Sequence, residues 1–130
     1  MGRGLWASVV ILTLAAPGRA GGEAGPKKPR LDIRASPRLG LAPARVLATA
    51  ELVGGEAAED FYCPLLEWDW DDGTRTVREA DCPPFEPGAN FERHFTADHV
   101  YRRSGNYSLR VILRRASRSV AAASVSVGLR

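Results

Sequence analysis

Glu67, Asp69, Asp71 and Asp72 crowd one short stretch of this 130-residue sequence. In an extended strand Glu67, Asp69 and Asp71 share a face, so their oxygens could gather on a hard cation. Calcium wants six to eight oxygen ligands, and the loop spacing of an EF-hand is absent. An Asp-rich turn also bonds its own backbone, which is the simpler use of these residues. Asp69, Asp71 and Asp72 are therefore a calcium set by chemistry only, and no other cofactor is expected. His94 and His99 could move protons, but no nucleophile stands in a recognisable setting. Gly-x-Ser-x-Gly, His-Glu-x-x-His and a phosphate loop are all missing. The two histidines and two cysteines lack finger spacing for zinc, which wants four ligands. The expectation is a non-catalytic protein.

Cys63 and Cys82 are the only cysteines. Whether they pair depends on the compartment, and the first residues bear on that. Arg3 gives a positive start, residues 5–16 are apolar, Pro17 and Gly18 break the run, and Gly18-Arg19-Ala20 puts small residues at −3 and −1. This order is that of a cleavable signal peptide over residues 1–20. Twelve helical residues reach about 18 Å, short of the roughly 30 Å hydrocarbon core, so the run is not a membrane anchor. No later segment is apolar enough to span. An even cysteine count in an oxidising compartment then predicts a Cys63–Cys82 disulfide. The protein is expected to be secreted or otherwise extracytoplasmic.

Without the leader, 16 basic residues stand against 15 acidic ones, so the formal +3 falls to +1. That excludes the concentrated basic face of a nucleic-acid binder. Residues 21–29 are rich in Gly, Pro and Lys and read as a flexible linker. From residue 30 to 130 short alternating segments follow one another between turn signals, the pattern of one all-β sandwich domain. Leu31, Ile33 and Ala35 mark a first strand, and Val46, Ala48, Ala50 and Leu52 a second. Leu66, Trp68 and Trp70 mark a third, which Asp71-Asp72-Gly73 ends, and residues 74–78 read as a short edge strand. Residues 91–101 read as a strand with an irregularity at Ala97-Asp98. Ser104-Gly105-Asn106 reads as a hairpin turn. Residues 107–113 and 121–129 alternate most clearly. Asn106-Tyr107-Ser108 also fits a glycosylation sequon.

Residues 35–43, the run Trp68-Asp69-Trp70-Asp71-Asp72-Gly73, then His99-Val100-Tyr101, then Gly105-Asn106-Tyr107 leading to Leu113, occur in an order that resembles the PKD domain. That Ig-like module is named from polycystic kidney disease proteins. Its hallmark is a Trp-Asp-Phe-Gly-Asp-Gly turn followed by His-x-Tyr, a Gly turn and Tyr-x-Val-x-Leu. The resemblance covers residues 29–129. It implies a buried Trp68 on a central strand, with Trp70 where the family has Phe. It also implies a tight turn at Asp72-Gly73, and His99 packed beside Tyr101. Tyr101 and Tyr107 are expected to bury their rings and bond backbone through their hydroxyls.

Asp71 departs from the family's glycine, so the local backbone is expected to differ. Residues 53–64 and 74–92 look longer than in a minimal member, and each carries one cysteine. The disulfide is expected to tie these two loops together and pre-order them for binding, since loops on a rigid scaffold carry function. The expected role is an interaction or spacer module with a protein partner. The alternative is a carbohydrate-binding module, whose warrant is Phe61, Tyr62, Phe85 and Phe91 exposed in the inserted loops; packing of these rings against the sandwich end is the favoured reading of them.

Overall fold

The computed structural model describes residues 28–56 and 59–130, together with Gly2 and Gly4. The signal peptide expected over residues 1–20 and nearly all of the linker expected over 21–29 lie outside the described residues. Among the described residues eight strands form two sheets. They are β1 (Arg30–Ser36), β2 (Leu39–Gly40), β3 (Ala44–Val53), β4 (Leu65–Asp69), β5 (Arg75–Arg78), β6 (His94–Tyr101), β7 (Gly105–Arg115) and β8 (Arg118–Leu129). A 3-10 turn spans Glu59–Phe61. One sheet has the order β1-β3-β6 and the other β2-β8-β7-β4-β5. All pairs are antiparallel except the parallel β2–β8 contact. No helix among the described residues is long and apolar enough to cross a membrane.

Alternation decides which residues meet between the sheets. On β3 the inward positions Val46, Ala48, Ala50 and Leu52 are fully buried. Leu66, Trp68, Leu109, Val111, Leu113, Val127 and Leu129 oppose them from the larger sheet. Ala48, Ala50 and Ala97 take little room in the same core that Trp68 and Trp70 fill, which is the large-with-small interdigitation a dense interior needs. At the outer end of β3, Gly55 adopts φ 68° and passes so close to Pro29 that a Cβ would lie 2.4 Å from its nitrogen. Only glycine fits both conditions.

Three expectations are corrected. β6 begins at His94 rather than at residue 91, and its pairing with β3 runs unbroken through Ala97 and Asp98. Ala97 points inward and Asp98 outward, so the alternation continues where a break was expected. Among the described residues the only register shift falls between Leu113 and Arg114, in the β7–β8 pair. Ser104-Gly105-Asn106 is not a hairpin: β6 and β7 lie in different sheets, so residues 102–104 carry the chain across the sandwich. Beyond these three, β2 had no counterpart in the sequence reading; its two residues are too short to show a period.

Candidate functional site

The two ends of β4 carry the two groups of residues singled out by the sequence. At its far end stands the Trp-Asp turn. Trp70 is fully buried, its indole N–H donates to Thr76 Oγ1 at 2.9 Å, and its carbonyl accepts the Tyr101 hydroxyl at 2.8 Å. The His99 ring stacks on Trp70 at 4.7 Å and meets Tyr101 edge-on at 4.9 Å. Burial, and then the nearby Asp72 charge, push the Tyr101 hydroxyl far above its ordinary pKa. Tyr107 stacks on Tyr101 at 4.2 Å and donates its hydroxyl to Arg103 O at 2.6 Å.

The carboxylates of this turn all have protein partners. Asp69 Oδ1 accepts the Asp71 amide at 3.0 Å, and Asp71 Oδ2 accepts the Ser108 amide at 2.8 Å. Asp72 Oδ1 accepts the Thr74 amide and hydroxyl, and its Oδ2 lies 2.6 Å from His99 Nε2, which therefore carries its proton there. Burial alone would raise the Asp72 carboxyl, but the bonds from Thr74 and His99 outweigh it and hold the group below the ordinary value. Asp71 takes φ 65° and Gly73 φ 88°, so Asp71 occupies the left-handed region that a glycine enters freely. The Ser108 bond to β7 offsets that strain. Asp69, Asp71 and Asp72 thus act as turn caps, and among the described residues no acidic, His or Cys cluster is grouped for a metal.

At the near end of β4 the chain is held by the Cys63–Cys82 disulfide, with its Cα atoms 6.2 Å apart. The bond joins the segment before β4 to the Pro-rich loop after β5. Tyr62 donates its hydroxyl to Pro83 O at 2.7 Å and packs on Phe85 at 5.4 Å, while Arg115 grips Tyr62 O. These contacts order a loop whose prolines cannot supply regular pairing. Between the tied loops and the start of β6 lies a cleft of about 440 Å³. Tyr62, Leu66, Phe91 and Phe95 give it apolar walls, Arg78, Glu79 and Glu92 surround them with charge, and His94 stands at the same rim. The His94 side chain is exposed and sits 3.2 Å from Glu51.

The four loop aromatics do not form the exposed row that stacking on sugars would need, and they pack as the favoured reading has it. Phe61 is buried in the core and Tyr62 is buried against Phe85. Phe85 and Phe91 are half-buried, with Arg93 standing 4.8 Å over the Phe91 ring. A loop aromatic beside an open sandwich end removes more apolar surface from water by folding inward than by facing out. Sequence reasoning also missed the start of β6 as a wall of the cleft. It missed a charge network on the outer face of β4 as well. There Glu67, nearly buried, takes bonds from Arg75 at 2.6 Å and Arg114 at 2.9 Å. The bond from Arg114, opposed by burial and then helped by Arg75, holds its carboxyl below the ordinary value. Arginine on both neighbouring strands was the available signal.

No protein-family model matches the chain, and no curated protein matches it by sequence. Among solved structures it is similar to the PKD domain of an M14-like peptidase from a Thermoplasmatales archaeon. The TM-score is 0.54 at 15% identity, over 81% of this chain and 98% of that one. The fold is that of a PKD-like β-sandwich.

Proposed function

We propose that the chain works outside the cytoplasm as a non-catalytic interaction module that holds a protein partner at the cleft framed by Cys63 and Cys82. The observation that carries this reading is the cleft itself: apolar walls inside a charged rim, set by a covalent tie rather than by regular pairing. That is the composition of a protein-binding surface, an apolar centre with a polar border. A disulfide is favoured where the compartment is oxidising, which agrees with the leader expected over residues 1–20. The Trp70, Asp72, His99 and Tyr101 cluster serves the fold by locking the β4–β5 turn onto β6. Burial of Phe61 and Tyr62 leaves only the half-buried Phe85 and Phe91 to a sugar platform, which favours the protein partner.

The test places a photo-crosslinking residue at Glu79, on the cleft rim, or at Ser124, on the outer face of the larger sheet, in the chain expressed in its host. A discrete crosslinked species from position 79 that is absent from position 124 supports the reading. It should fade when Cys63 and Cys82 are both replaced by serine. The same adducts from both positions, or none from position 79, would contradict it.

A further inference from the structure

The smaller sheet stops at β6, and that edge is unlike the other three. β5 is four residues long and β2 only two. β1 carries Arg30, Asp32 and Arg34, is bracketed by Pro29 and Pro37, and lies beside β8. Short edges, charges and prolines are the usual protection against strand addition. β6 offers eight residues without proline, lysine or bulge.

The backbone of that edge can be read from its pairing. Leu52 N donates to Arg93 O at 2.8 Å. Antiparallel pairs alternate between bonded and non-bonded, so the register makes Phe95↔Ala50, Ala97↔Ala48 and His99↔Val46 the bonded pairs. The N–H and C=O of His94, Thr96, Asp98 and Val100 then turn away from β3. Among the described residues no strand lies on that side, and no backbone bond from a loop reaches these four. Hollows flank the edge at both ends, one touching His94 and Thr96 and the other His99 and Val100.

We propose that β6 is a docking edge for an extended segment of a partner protein, which joins the three-stranded sheet as a fourth strand. This rests on the reading of the chain as an interaction module and names how the partner is held. Successive side chains of an added strand point to opposite faces. One set enters the cleft against Phe91 and Phe95, so the segment carries apolar residues at alternate positions; the other set lies beside Thr96 and Asp98. Main-chain bonds supply affinity and the cleft supplies selectivity. A second copy of β6 fits worse, because its inward residues Phe95 and Ala97 are already buried in its own core and would leave the cleft unfilled.

The test uses the mature oxidised chain and a displayed library of random linear decapeptides as the probe. Selected peptides should share alternating apolar positions. Their binding should slow amide exchange at residues 94, 96, 98 and 100 by tenfold or more, with 95, 97 and 99 slow in both states. Thr96→Pro removes one outward N–H and no bond to β3, and should weaken binding by about tenfold. Thr96→Val keeps that N–H and should bind normally. Should Thr96→Pro fail to fold, the exchange pattern of the unmodified chain decides alone. Peptides that protect only residues 79–92 would overturn strand addition while leaving the interaction module standing. An empty selection would overturn it too. So would a dimer that protects the same four amides without peptide, since that assigns the edge to a second copy.

Discussion

Tyr101→Phe removes one oxygen and leaves every ring contact in place. Tyr101 is fully buried, and its hydroxyl donates to the Trp70 carbonyl at 2.8 Å. Without it that carbonyl faces an apolar ring, and an unsatisfied buried acceptor costs about 1–3 kcal/mol. For a domain near 100 residues each kcal/mol lowers the melting midpoint by roughly 4–8 °C. Tyr107→Phe is the internal control. Its hydroxyl bonds Arg103 O at 2.6 Å in an exposed place, where water replaces the lost donor. That variant should lose no more than about 0.5 kcal/mol. Urea unfolding of the three oxidised proteins, with equal slopes, measures both differences. Equal losses in the two variants, or an unchanged midpoint for Tyr101→Phe, would refute the claim that Tyr101 locks the Trp70 turn.

Other outcomes follow from the same structure. Trp68→Ala should cost about 3–5 kcal/mol by opening the core, whereas Trp68→Phe should cost much less, because the buried Trp68 Nε1 has no protein acceptor; chemical denaturation separates the two. Glu67 and Asp72 titrate below their ordinary values when folded, so their contribution is complete above the unfolded pKa and is lost as pH falls through the folded one. Stability should therefore drop below about pH 4, and Glu67→Gln should flatten that acid limb while lowering stability at neutral pH. N-terminal sequencing of the exported protein should start near Gly21; material still beginning at Met1 would remove the proposed cleavage.

Most of the sandwich could be read from the sequence because period-two alternation survives wherever one face is buried. Val46 to Leu52 and Leu109 to Leu113 show it cleanly, and both are fully buried on the alternate positions. The Trp-Asp turn was legible because its residue types each have a conformational reason to be there. The crossing at residues 102–104 was not, since a hairpin and a change of sheet use the same local turn residues. The inward packing of Phe61 and Tyr62 was the favoured reading of the loop aromatics, though no period along a loop says which way each ring faces. Glu67 and Arg114 meet across 47 residues, and the open edge of β6 is the absence of a neighbouring strand among the described residues. Neither can be seen along a single strand.

The disulfide closes a separation of 19 residues, worth about 3 kcal/mol in the chain-entropy model, and it holds the walls of the cleft in place. The central claim is that this tie shapes a binding surface rather than merely stabilising the fold. The direct measurement is the affinity of the partner recovered by crosslinking at position 79 for the oxidised chain and for the reduced, alkylated chain. It is made at a temperature where the sheet signal of both is intact. The account predicts clearly weaker binding after reduction, with the sheet signal retained. Equal affinity of two equally folded forms would contradict it.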